Sequence, residues 1–164
     1  MNYSECIENA RTRIGNYCKA CPECNGRACK NQMPGPGAKG IGDTAIRNYD
    51  KWKEIRVQTD TIAENKPVDT SLELFGKKFL YPFFAGPVGA VGLHYGDCLD
   101  DVRYNDILVS ACAKYGIAAF TGDGLDSNVM VAATKAIGKT DGIGIPTVKP
   151  WNIDTVAEKM KMVQ

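Results

Sequence analysis

Between Phe79 and Ala85 the chain reads FLYPFFA, an apolar run without polar alternation that stops at Gly86-Pro87. A strand wetted on one face alternates apolar with polar side chains, whereas a strand covered on both faces does not. The run is therefore expected to be a buried parallel strand. Just before it, Leu72 and Leu74 stand among small and charged residues around Gly76, which predicts a short hairpin turning at Phe75-Gly76-Lys77. Just after it, Gly86, Gly89, Ala90 and Gly92 permit close backbone approach at the strand's carboxyl end, where parallel α/β folds place their ligands.

The pattern of strand, small-residue tip and amphipathic helix then repeats. A helix from about Tyr104 to Tyr115, opened by Asn105 or Asp106, is expected to turn Ile107, Leu108, Ala111 and Cys112 inward and to stop at Gly116. Ile117 to Phe120 reads as a second buried strand with a loop at Thr121-Gly122-Asp123-Gly124. Asp126 is placed to cap the helix that follows, whose stripe is Val129, Ala132, Ala133 and Ile137. Gly142 to Val148 is the third strand. Asn152 or Asp154 caps a third helix with Val156, Met160 and Val163 on one side. Strand followed by helix, three times at a spacing of about 30 residues, is the pattern of βαβ winding around a parallel sheet.

On these residues a resemblance can be named. Asp69-Thr70-Ser71, Phe75-Gly76 with Lys78, and Pro82 followed by Ala85-Gly86-Pro87 resemble the opening of the barrel in the FMN-dependent α-hydroxy-acid oxidases and dehydrogenases. Type 2 isopentenyl-diphosphate isomerase, a flavin relative, is similar. Glu54-Ile55-Arg56-Val57 upstream, and the helix leading into Ile117–Gly122 downstream, fit the same pattern. The resemblance implies an α/β fold, a partial TIM (β/α)8 barrel comprising the first three βα units. A complete barrel takes roughly 200 to 250 residues, so a chain of 164 residues is expected to be the amino-terminal part of a longer one. It further implies FMN across the strand tips, with Gly86, Pro87, Val88, Gly89, Thr121, Gly122, Thr147 and Lys149 as the carried-over contacts. At the third strand Pro146 and Val148 stand where the oxidases carry glutamine and tyrosine. The histidine and arginine that perform the oxidation belong to later barrel units, so the catalytic residues are not among those read here and the fragment is expected to be inactive alone. The activity implied is hydride transfer from a 2-hydroxy acid or similar small anion to flavin. A flavin-dependent isomerase and a non-enzymatic metal-binding assembly module are the alternatives.

The amino-terminal 42 residues stand outside that pattern. Residues 2 to 14 suit a short helix with Ile7, Ala10 and Ile14 on one stripe and Ser4 as cap. Cys18, Cys21, Cys24 and Cys29 follow, spaced C-x2-C-x2-C-x4-C, with Pro22 and Gly26 as turn residues. Four thiols so spaced can turn toward one ion, which points to a structural zinc or an iron–sulfur cluster. Redox-active thiols or disulfides are the other readings. Residues 33–43, rich in glycine and proline, read as a linker; with no preceding strand and no Walker pattern, a phosphate loop built on Lys39 is the weaker interpretation. The division expected is 1–42 for helix, knuckle and linker, and 43–164 for the barrel part, beginning with a helix capped by Asp43 or Thr44.

Charge excludes more than it assigns. Twenty basic and 19 acidic residues leave a net charge of +1, so neither nucleic acid nor a membrane surface is an expected partner. No apolar run approaches the roughly 20 residues of a spanning helix, and the amino terminus has no secretory pattern. A cytoplasmic location is expected, in which seven cysteines favour metal or free thiols over disulfides. The partners expected are a small anionic substrate and either a second copy or the rest of the barrel. His94, the one histidine, sits after the first strand as a candidate for flavin or substrate contact, or as a solvated loop residue; Cys98 nearby is weaker. Lys149 reads either as an anion contact or as a lysine in solvent.

Overall fold

The computed structural model describes residues 2–15, 18–29, 43–141 and 143–163. The chain divides into two units, Met1–Lys66 with Leu93–Cys98, and Pro67–Gly92 with Leu99–Gln164. Among the described residues no helix is long and apolar enough to cross a membrane.

In the first unit, α1 (Tyr3–Arg13) is capped by Asn2 and not by Ser4. Asn2 precedes Glu5 by three residues, so its side chain accepts the Glu5 N–H at 2.9 Å while the Glu5 carboxylate accepts the Asn2 N–H at 2.9 Å. Ser4 already lies inside the helix. The helix α2 (Thr44–Trp52) has Asp43 at its N-cap position, one of the two residues expected there, but the Asp43 side chain makes no capping hydrogen bond. Between them the cysteine loop is pinned from both sides. Tyr3 donates its hydroxyl to the Pro22 carbonyl at 2.6 Å, Tyr49 donates to Glu23, and Arg27 pairs with Asp50 at 3.3 Å. The glycine/proline linker at 33–42 lies outside the described residues.

The second unit opens with an antiparallel hairpin, β1 (Leu72–Leu74) and β2 (Lys77–Phe79), in register Leu72↔Phe79 and Leu74↔Lys77. Its two turn residues, Phe75 (φ 53°) and Gly76 (φ 71°), are both left-handed, the twist that matches a two-residue hairpin. Phe79 is buried and meets Phe84 edge to face at 5.6 Å. From here the expected strand fails. Leu80, Tyr81 and Phe83 are 53%, 42% and 58% exposed, and only Ala85 makes a parallel bridge, to Ala119. Pro82 has no N–H to give a ladder, and the run's backbone bonds are confined to its ends, Leu80 to Gly116 at 2.8 Å and Ala85 to Ala118 and Phe120 at 3.0 and 2.9 Å.

The second and third strands pair in parallel as β3 (Ala119–Thr121) and β4 (Gly144–Pro146), in register Ala119↔Gly144 and Thr121↔Pro146. Short helix α3 (Val91–Tyr95) precedes α4 (Asp101–Lys114); α5 (Ser127–Gly138) and α6 (Ile153–Val163) follow β3 and β4. Val109, Cys112, Ala119 and Ala136 form the core, with Ala85, Leu108, Ile117 and Ile137 packed on it. The result is a mixed helix and strand structure in which the described strands do not close into a barrel.

Two helices present other faces than periodicity suggested. Asp100, not Asn105 or Asp106, caps α4, accepting the Arg103 N–H at 2.7 Å. Of the four residues expected to turn inward, Cys112 is buried and Leu108 packs on the core, whereas Ile107 and Ala111 are exposed and Asn105 and Val109 take the other buried positions. In α6 the residue buried is Lys159, whereas Met160 is 48% exposed.

Candidate functional site

Four of the eight residues that the resemblance implies as flavin contacts, Thr121, Gly122, Thr147 and Lys149, lie at the carboxyl ends of β3 and β4. Thr121, the last residue of β3, is wholly buried; its carbonyl accepts the Thr147 N–H at 3.2 Å, yet its hydroxyl has no hydrogen-bond partner. A buried hydroxyl without a partner is uncommon and marks a place where one is wanted. Gly86 and Pro87 are exposed, and a β-carbon on Gly86 would meet open space. Val88 and Gly89 are half-buried, and Gly122 is buried. Gly89 and Gly122 are occupied with each other's backbone, so of these glycines Gly86 keeps free space beside it. Thr147 is half-buried, and the side chain of Lys149 is exposed, its ammonium 5.8 Å from the Trp151 ring.

Beneath them lies an ion pair that periodicity did not reveal. The Asp123 carboxylate accepts from Lys159 on one oxygen, and on the other from the Lys149 N–H at 2.8 Å and the Trp151 indole at 2.7 Å. Lys159 also donates to the Gly124 carbonyl at 2.7 Å. Burial alone would push the Asp123 pKa up; the hydrogen bonds from Lys159, Lys149 and Trp151 and the Lys159 charge outweigh it and hold the carboxyl below its ordinary value. The signal available in the sequence was a lysine lying three residues after Val156 and four before Val163, within the stripe expected to be apolar.

The cysteine loop and His94 both belong to the first unit. Cys18, Cys21 and Cys29 are half-buried and Cys24 is exposed, all as free thiols. Burial first, then the charges of Cys24, Cys18 and Cys21, push the Cys29 thiol up, and burial with the charges of Cys18, Cys24 and Cys29 does the same to Tyr95. Among the described residues, however, no group of three or more cysteine, histidine or acidic side chains is arranged to hold a metal ion. The expected zinc or iron–sulfur site on Cys18, Cys21, Cys24 and Cys29 therefore gains no support: the loop is fixed through Pro22, Glu23 and Arg27, and the four thiols around those anchors do not form a ligand set. His94 has a buried Nδ1 without a partner.

A family model for the FMN-dependent dehydrogenases matches residues 35–144. The chain belongs to that family. No curated protein and no solved structure matches it. The matched part of this FMN-dependent dehydrogenase chain includes Gly86 to Gly89, Thr121 and Gly122; Thr147 and Lys149 lie beyond it and the four clustered cysteines before it. Family membership implies FMN, and the residues present fit it. The Thr121 hydroxyl lacks a partner at the strand end, and Gly86 leaves open space beside the backbone.

Proposed function

We propose that this chain supplies the first flavin-holding units of an FMN-dependent oxidoreductase that oxidises a 2-hydroxy acid or a similar small anion. The observation that carries the reading is the Thr121 hydroxyl, buried and unpartnered at the end of a parallel strand inside the family match. When bound, the flavin supplies a hydride acceptor. The chain's own part is to hold it: Thr121 offers a hydrogen bond to the ring, the backbone at Gly86 and Pro87 lies alongside, and Thr147 and Lys149 present polar groups at the neighbouring strand end. Lys149, exposed, is placed to attract an anion. These units form the beginning of a TIM barrel, with the histidine and arginine of the oxidation contributed by later units.

One observation favours a second reading, a flavin-dependent isomerase. Pro146, which pairs with Thr121, and Val148 replace the polar residues that the oxidases carry there. Anaerobic mixing of the flavin-loaded full-length protein with small 2-hydroxy acids separates the two. Bleaching of the flavin absorbance supports the oxidoreductase; flavin bound but never bleached by any 2-hydroxy acid supports the isomerase, and no flavin binding refutes both.

A further inference from the structure

We infer that Asp123 and Lys159 are a positioning pair for the flavin site. Resting on the flavin reading above, this adds residues that the family resemblance does not assign. Their side chains are 0% and 2% exposed, and Asp123 accepts three hydrogen bonds while Lys159 donates two. Asp123 lies in the loop after β3, two residues beyond Thr121. Its carboxylate grips the loop after β4 through the Lys149 N–H and the Trp151 indole, and grips α6 through Lys159, which returns to the Gly124 carbonyl. Three segments of chain that carry or flank Thr121, Thr147 and Lys149 are thus locked by one carboxylate.

Stability does not account for such a pair by itself. Removing both charges from water costs about as much as their attraction returns, and apolar side chains of similar volume commonly serve as well. The pair is also closed off from solvent, with three donors held on the Asp123 carboxylate and two acceptors on the Lys159 ammonium. What the arrangement supplies is geometry. The carboxylate receives donors from directions fixed by two loops and a helix, which sets the register of one strand tip against the next.

The test compares two neutral double variants of the full-length protein. Asp123→Asn with Lys159→Gln keeps a hydrogen-bonded link between the β3 loop, the β4 loop and α6. Asp123→Asn with Lys159→Met keeps the packing but cuts the link to α6. Affinity for FMN is read from quenching of flavin fluorescence, well below the unfolding temperature of each variant. The Asn/Met variant should bind FMN at least tenfold more weakly than the native protein, and the Asn/Gln variant should restore affinity to within about threefold. Equal affinity in the Asn/Met variant and the native protein overturns the inference, as does equal loss in both variants. If the Asn/Met variant does not fold, Trp151→Phe removes one donor and leaves the ion pair; it should weaken FMN binding severalfold, and unchanged binding overturns the proposal. A native protein that binds no FMN refutes the functional reading and takes this inference with it. A native protein that binds, with variants that bind equally well, refutes the inference alone.

Discussion

Gly89 and Gly122 meet backbone to backbone: a β-carbon on Gly122 would stand 2.2 Å from the Gly89 nitrogen, and one on Gly89 would stand 3.0 Å from the Asp123 nitrogen. Neither main chain can withdraw without disturbing the strand end. Gly122→Ala should therefore destabilise the protein by about 1–3 kcal/mol or more, as overpacking does. Gly86→Ala, facing open space, should cost well under that, since a surface substitution away from special features stays within roughly 0.5 kcal/mol. Urea midpoints of the two variants, compared with the native protein, check the contrast.

Thr121→Val should have effects of opposite sign in the two states. Without flavin it removes a buried hydroxyl that has no partner, so the thermal midpoint should hold or rise. With flavin it removes a hydrogen bond worth about 0.5–1.5 kcal/mol, a loss of roughly two- to tenfold in affinity. A midpoint that falls without flavin, or an affinity that does not fall with it, contradicts the assignment of this hydroxyl.

The Asp123 carboxyl titrates lower in the folded protein than an aspartate in an unfolded chain. A depressed carboxyl contributes stability in full above the unfolded value, about 3.9. That contribution is lost as pH falls below it, through the folded value. Denaturation midpoints should hold on this account between pH 7 and 5 and drop below about pH 4. The Asn/Gln double variant should show a shallower drop over the same acid range.

Thiol reactivity should follow exposure and charge. Cys24, exposed, should alkylate faster than Cys29, whose thiol burial and neighbouring thiols push up, and Cys112, buried and also raised, should be slowest. Timed alkylation at pH 8 followed by peptide mass spectrometry gives the order. Faster labelling of Cys112 than of Cys24 would mean that the core around Val109 and Ala119 opens readily.

Tyr81 and Phe83 stack with ring centroids 5.5 Å apart while remaining 42% and 58% exposed. Together with Leu80 they make an apolar patch, and patches of this kind promote association. The chain on its own should elute from size exclusion at a mass that rises with concentration, and Phe83→Lys should reduce that rise. A monomer at every concentration would show that the patch does not drive self-association.

Much of the local structure was legible because it rests on neighbours in sequence. The hairpin turn at Phe75-Gly76, the Asp126 cap that accepts the Asn128 N–H at 2.9 Å, and the left-handed stop at Gly116 (φ 69°) each depend on residues within a few positions. FLYPFFA misled because composition does not say whether a second face will be covered, and Pro82 withholds a donor where a ladder would need one. Thr121 was legible through resemblance; that its hydroxyl lacks a partner was not.

What the sequence determined by itself was membership of the flavin family and the order in which hairpin, strands and helices follow one another, since turns, caps and apolar periods act at short range. What only the tertiary structure decided was the use of particular residues. Gly89 and Gly122 serve each other, and Lys159 leaves water to meet Asp123, 36 residues away. The physical reason is that burying a lysine is favourable only once its carboxylate partner is in place, and that partner is brought there by the packing of α6 and the two loops.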